Sequence, residues 1–329
     1  MLEERQAMPQ SAVIALDLGG TKLASCLCVD GGQLQAQQIV PLDLREGREV
    51  GQLISEQIRR LLQTAAEIGA RITAVGVIVP GIIDAQTGHV WAPNIPGWDD
   101  YPLRDGIRAA LSDAAIRVVI DNDRAGYILG EAWQGAAQGC RNAIFLAVGT
   151  GIAAGILADG RVIYGSRGIA GSIGWLALDR PFRLEYVSCG CFESHASGSG
   201  VTKQFADRRS RTLTTNDSIP LTARDVWAAY ERGDKLAEEV LNEAIQYWGM
   251  ATANLVSLFD PEKIIFGGGM FGPATRFLSD IFEYASYWAQ PVSMSRVKFE
   301  ASQLGVDAGL YGAGHLALFG SRLVGSDAA

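Results

Sequence analysis

The chain has 329 residues, 48% hydrophobic and 19% charged, with 39 glycines, enough for two domains with cores of their own and many tight turns. Its net charge of −8, from 28 basic and 36 acidic residues, argues against a protein built to grip nucleic acid. No apolar run reaches the roughly 18 residues of a membrane span, and residues 1–10 lack a signal peptide's basic start and apolar core, so a cytoplasmic chain away from membranes is expected.

The first element is the apolar run Val13 to Leu16, ending at Asp17. The turn Gly19-Gly20 follows, then a second run from Leu23 to Val29 closed by Asp30-Gly31, which reads as a β-meander. Cys26 and Cys28 share one face of that second strand and are expected in the core. Apolar residues then recur every three or four positions from Val50 to Ile68, which predicts a helix. Ala74 to Val79 and Arg117 to Ile120 read as buried strands. From Ala143 the opening grammar returns: Ala143 to Val148, Gly149-Thr150-Gly151, Ile152 to Leu157, Asp159-Gly160. This echo predicts two structurally related halves. The stretch Arg208 to Arg224 is polar and reads as a surface loop or helix connection. A long helix is predicted from Leu236 to Phe259, stopped by Pro261, and a last one from Gly309 to Phe319. Strands alternating with helices give an α/β class.

Several of these turns carry chemistry. Glycines at Gly19 and Gly20 let backbone N–H groups approach a phosphate, and Thr21 adds a hydroxyl. Asp17, at the strand end, is placed to hold Mg²⁺ through water. One glycine pair is equally an ordinary hairpin turn, but Gly149-Thr150-Gly151 repeats the signal, and two matching turns can clamp a polyphosphate. Gly267-Gly268-Gly269 follows the strand Lys263 to Phe266, which suits either a flat purine or a loose strand-to-helix turn. Asp121-Asn122-Asp123 ends a buried strand and opens a helix, where a carboxylate serves as a general base or as a helix cap.

In order along the chain, Asp17 to Lys22, Pro80-Gly81, Asn94 with Trp98, Asn122-Asp123 with Gly130-Glu131, and Gly149-Thr150-Gly151 resemble the ROK family of repressors, open reading frames and kinases. The resemblance continues through Cys191, Glu193, Ala196-Ser197-Gly198, Gly267 to Gly269, Asp307-Ala308-Gly309 and Gly312-Ala313. It implies an α/β fold of the actin, hexokinase and Hsp70 type, two ribonuclease-H-like lobes around a central cleft. Residues 1–122 with about 310–329 would form the N-terminal lobe, and 123–309 the C-terminal lobe with the adenosine site and the dimer contact. It further implies phosphorylation of a hydroxyl on a sugar or cyclitol by Mg-ATP. Asp123 would be the base, with Asp17, Gly19, Gly20 and Thr21 on one phosphate loop and Gly149, Thr150 and Gly151 on the other. Gly267, Gly268 and Gly269 would border the adenosine, and Gly81, Asn94, Asn122 and Glu193 would meet the sugar. A homodimer is expected by the same analogy.

The chain departs from the family where substrate is read. The usual Gly-Glu-x-Gly-His is here Gly171-Ser172-Ile173-Gly174-Trp175, with Ser172 for the sugar-contacting glutamate and Trp175 for the zinc-binding histidine. Of the cysteine motif only Cys189-Gly190-Cys191 stands, and His195 at cramped spacing does not complete a four-ligand shell, so no zinc site is expected. Trp175 is expected to pack where the metal would sit, and Ser172 to alter which sugar is accepted. A repressor is not expected, because the sixteen residues before Asp17 are too few for a DNA-binding domain. A non-catalytic sugar or nucleotide sensor is the alternative. His89 and His315 read as surface or partly buried structural residues, and Glu131 as structural.

Overall fold

The computed structural model describes residues 10–212 and 221–321. The chain divides into two compact units. The first runs to Gln138, regains Tyr164–Ile169 and resumes at Val306; the second takes Gly139–Ile163 and Ala170–Gly305.

The first unit opens with β1 (Ser11–Leu18), β2 (Lys22–Val29) and β3 (Gln33–Pro41), then α1 (Gly47–Glu67) and β4 (Arg71–Val79). The small hairpin β5 (Ile82–Ile83) and β6 (Val90–Trp91) precedes α2 (Leu103–Ala110), β7 (Arg117–Asn122) and α3 (Asp123–Gln134). The second unit contains β8 (Ala143–Val148), β9 (Ile152–Ala158) and β10 (Arg161–Val162), then the short helices α4 (Tyr186–Cys189) and α5 (Cys191–Ala196). It continues with α6 (Gly198–Thr212), α7 (Ala223–Glu231), α8 (Lys235–Phe259), β11 (Lys263–Gly267), α9 (Leu278–Ser286), α10 (Pro291–Met294) and β12 (Lys298–Ala301). The chain then returns to the first unit as α11 (Ala308–Phe319).

The two sheets have matching orders, β3-β2-β1-β4-β7 and β10-β9-β8-β11-β12. In each, an antiparallel hairpin is followed by two parallel strands, so the echo read between Val13 and Gly160 is a repeat of architecture. Each unit has its own apolar core. Leu16, Leu27, Ile54, Ile58 and Val77 are among the fully buried members in the first; Leu146, Leu241, Trp248 and Phe266 are among those in the second. Each such side chain contributes about 1.5–3 kcal/mol by leaving water. Cys26 and Cys28 are both fully buried, as their shared face required.

The end signals of α8 explain its length. Asp234 accepts from the backbone N–H groups of Leu236 and Ala237 at 2.9 and 3.1 Å, and Asp260 closes the helix in the left-handed region at φ 44° just before Pro261. Arg208 through Thr212, expected in a loop, instead finish α6, and α7 begins at Ala223; residues 213–220 of that stretch lie outside the described ones.

The units part after Gln138 rather than at residue 123, because α3 is packed tightly on α11. A Cβ on Gly312 would lie 2.0 Å from the Gly126 carbonyl oxygen, and one on Gly130 would lie 2.5 Å from that of Ala308. Only glycine permits so close a crossing. Glu131 is fully buried on α3 and accepts from the Ala136 N–H at 2.7 Å.

His315, expected at the surface or partly buried, is instead fully buried on α11, at 1% exposure. It packs against Trp133 and Phe319, and neither ring nitrogen has a hydrogen-bond partner among the described residues. Burial lowers its pKa to about 4. The unfolded chain therefore takes up this proton near pH 6.5 and the folded chain only near 4, so the neutral ring supports stability above pH 6.5 and that support drains as pH falls toward 4. His315→Leu is expected to gain on the parent by about 3 kcal/mol between pH 7 and 4, from the 2.5-unit gap. Denaturant melts of both proteins across that range check it, and a difference independent of pH would refute it.

Candidate active site

In the first unit, β1 and β7 are separated by β4 alone, and they deliver Asp17 and Asp123 from their C-terminal ends. Each carboxyl keeps a strip of accessible surface yet is surrounded by protein. Oδ1 of Asp17 is enclosed and has no hydrogen-bond partner among the described residues. Burial, then the charge of Asp123, pushes Asp17 up to about 7 against the pull of Lys22. Burial also raises Asp123, opposed by the charge of Arg124 and by its backbone N–H, which donates to Asp123 Oδ1 at 2.8 Å. Gly309, near the start of α11, is a glycine because a Cβ there would lie 2.0 Å from Asp17 Oδ2.

The first glycine turn adjoins this pair. The Gly19 N–H donates to the Lys22 carbonyl at 2.9 Å, and a Cβ on Gly20 would lie 3.5 Å from the Cβ of Asn94. Gly20, Thr21 and Asn94 are exposed. The structure thus brings Asn94 to the turn. Asn122 differs: it is buried, and both ends of its amide are engaged. Its oxygen caps α3 by accepting from the Ala125 N–H at 2.9 Å, and its Nδ2 donates to Asp121 at 3.1 Å.

Sequence reasoning passed over Tyr127. It lies one helical turn beyond Asp123, and the charges of Asp17 and of Asp123, together with burial, hold its hydroxyl well above its usual range. Its four-residue spacing from Asp123 was the available signal.

In the second unit, Gly149-Thr150-Gly151 forms a tight turn with the Gly149 N–H donating to the Gly151 carbonyl at 2.9 Å. The third glycine run lies beside it. Gly268 has φ 89°, and a Cβ there would lie 2.5 Å from the Val148 carbonyl oxygen. Gly268→Ala is therefore doubly strained, by the left-handed backbone, about 1–2 kcal/mol, and by the contact. If Gly267 to Gly269 border the adenosine, as the family resemblance implies, the variant is expected to bind a non-hydrolysable ATP analogue about tenfold or more weakly in calorimetry; unchanged affinity would contradict that role.

Glu193 reaches the same region from α5. Its Oε2 accepts from the Ile152 N–H at 2.6 Å and would contact a Cβ on either Gly151 or Gly174. Burial raises its pKa, offset by that N–H. Ser172 is half-buried just before Ile173 and Gly174.

Trp175 corrects an expectation, for it is 57% exposed. Gly190 packs against its backbone: a Cβ there would lie 2.4 Å from the Gly174 carbonyl oxygen and 2.6 Å from the Trp175 Cα. The local staple is aromatic instead. His195 stacks on Tyr247 with ring centroids 4.4 Å apart, and its Nε2 is 2.8 Å from the Tyr186 hydroxyl. Burial lowers the pKa of His195. Among the described residues, no three His, Cys, Asp or Glu side chains gather as a metal site, and no helix is long and apolar enough to cross a membrane.

The chain is 30% identical over 314 residues to a glucokinase of Halalkalibacterium halodurans, covering 92% of this chain and 94% of that one. The ROK hexokinase of Thermus thermophilus superimposes with a TM-score of 0.75 at 31% identity, over 92% of this chain and 96% of that one. A ROK glucokinase from Streptomyces griseus, solved with glucose and AMPPNP, gives 0.74 at 28% identity, over 93% and 98%. The fold is therefore α/β of the actin and hexokinase type. Residues 13–319 match the ROK family along nearly the whole described chain, and the protein belongs to that family.

Proposed function

We propose that the chain transfers the γ-phosphoryl group of ATP to a hydroxyl of a hexose, an amino sugar or a cyclitol, with Asp123 as general base. As an enzyme class it is a carbohydrate kinase. The observation that carries the reading is the pair of enclosed carboxylates, Asp17 and Asp123, beside an exposed glycine turn in one unit.

Asp123 takes the proton of the attacking hydroxyl. Phosphoryl transfer has a loose transition state, so orientation of that hydroxyl and neutralisation of charge outweigh the strength of the base. Backbone N–H groups at Gly19 and Gly20 with the Thr21 hydroxyl hold one stretch of phosphate, and Gly149 to Gly151 another. Gly267 to Gly269 border the adenosine. Asn94, the Gly81 loop, Asn122 and Glu193 orient the sugar, and Ser172, standing for the family's glutamate, bears on which sugar is accepted. The unpartnered Asp17 oxygen and its raised pKa fit a cation nearby; Asp17 would hold Mg²⁺ through a bound water, and the ion would neutralise charge on the transferred group. Trp175, exposed next to the Gly174 against which Glu193 packs, offers an apolar face to a sugar or cyclitol ring. In the same reading the chain works as a homodimer, favoured by exposed Leu258, Tyr287, Trp288 and Val292 on the second unit.

ADP release with Mg-ATP across a panel of hexoses, amino sugars and cyclitols tests the proposal. Turnover on at least one acceptor is expected. Silence on all, with sugar binding still detectable by thermal shift, would instead make the chain a sensor.

A further inference from the structure

Arg124 and Tyr164 carry none of the roles above, yet both tie the stretch around the base to distant segments: Tyr164 reaches Asp121, and Arg124, next to the base, reaches Gly81 and Gly168. The Tyr164 hydroxyl donates to Asp121 Oδ2 at 2.6 Å. The other oxygen of Asp121 accepts from the Asn122 backbone N–H and side-chain amide at 2.7 and 3.1 Å. Arg124 uses the two hydrogens of one guanidinium nitrogen, Nη2, on two carbonyls: Gly168 at 2.9 Å and Gly81 at 3.2 Å. Residues 121–124 thereby fasten two segments distant in sequence, the loop after β4 at Gly81 and the excursion Tyr164–Ile169. That excursion holds no helix or strand, and it turns at Gly165 and Gly168 with φ of 72° and 70°.

Bonds from a charged, half-buried donor are the strong ones, and a base must be held within fractions of an ångström of its target to be effective. We propose that Arg124 and Tyr164 are positioning residues that lock the Gly81 loop and the 164–169 segment onto the turn bearing Asp123, so that sugar-holding backbone and base keep one geometry. The inference rests on the kinase reading for its consequence, but the lock itself can be measured without turnover.

The test compares Arg124→Lys, Arg124→Met and Tyr164→Phe with the parent. Amide hydrogen exchange reads the lock directly. Arg124→Met is expected to speed exchange around residue 81 and across 164–169, and Tyr164→Phe across 164–169 alone; unchanged exchange in both overturns the proposal. Kinetics with Mg-ATP and either glucose or N-acetylglucosamine read the consequence. Arg124→Met is expected to lose up to about 100-fold in kcat/KM for the sugar, with KM for ATP held within about two-fold. Arg124→Lys is expected to recover part of this, because its ammonium reaches one carbonyl, and Tyr164→Phe to lose about tenfold in the same pattern. Equal losses for sugar and ATP, or lysine no better than methionine, would mark a merely structural staple and overturn the proposal. A parent that turns over neither sugar would sink the kinase reading instead, and the exchange experiment would then decide the lock alone.

Discussion

Asp123→Asn is expected to lower kcat by about 10²–10⁴-fold while leaving the sugar's KM within a few-fold of the parent's. Asparagine matches the carboxylate in shape and can still accept the Arg124 N–H that now holds Oδ1 at 2.8 Å, so the start of α3 is preserved. What it cannot do is take a proton. Burial raises the Asp123 carboxyl, which brings it nearer the working pH and makes it a better acceptor than a solvated aspartate. The residual rate should be appreciable rather than nil, because positioning and charge neutralisation outlast the base. Steady-state kinetics on the best acceptor of the panel, with sugar affinity measured separately, checks this. A variant with full kcat would remove Asp123 from the chemistry, and one that loses affinity in proportion to rate would make it a binding residue only.

The legible parts of the fold were those where local pattern and tertiary demand agree. Helix α8 was readable because its apolar spacing runs on to a stop at Pro261, and the paired sheets because each opens on a hairpin with a glycine turn. Strand β3 was missed: its alternation, Gln33 to Gln37, is short, carries only Leu34 and Ala36 as apolar members and breaks at Gln38, and the strand holds its place at the sheet edge by pairing with β2. The motif glycines were recognised by type, but their reasons were hidden. Gly312 and Gly130 serve a helix crossing, and Gly309 makes room for Asp17, facts that belong to three-dimensional approach and leave no periodic trace. At the site, the residues were read one at a time and their couplings were not. Trp175 is exposed, with Gly190 packed on its backbone, and Tyr164 meets Asp121 across 43 positions; neither follows from spacing along one chain.

Asp17→Asn is expected to stabilise the metal-free protein while abolishing turnover. In the folded chain Asp17 ionises near pH 7, against 3.8 without the fold's influence, because it is buried beside Asp123. The unfolded chain therefore releases this proton first as pH rises. The protonated carboxyl imposes no penalty below pH 3.8; stability is lost from there upward, and the loss is complete above 7. The gap corresponds to about 4 kcal/mol as an upper bound, and residual solvent contact brings it to about 2–4 kcal/mol. Asparagine removes the charge at nearly constant volume, so at pH 8 with chelator the variant should melt several degrees above the parent. At pH 4 that advantage should vanish, since the parent's Asp17 is then protonated, while the His315 contribution is common to both proteins and cancels. Adding Mg-ATP should reverse the order, raising the parent's melting temperature more than the variant's, because only the parent gains a cation beside the carboxylate. A variant no more stable than the parent at pH 8 would mean that the carboxyl is not strained by its neighbours. An equal gain at pH 4 and 8 would trace the effect to packing rather than charge. The expected pattern would show a stability penalty retained in the resting protein and relieved by substrate, as electrostatic preorganisation for phosphoryl transfer requires.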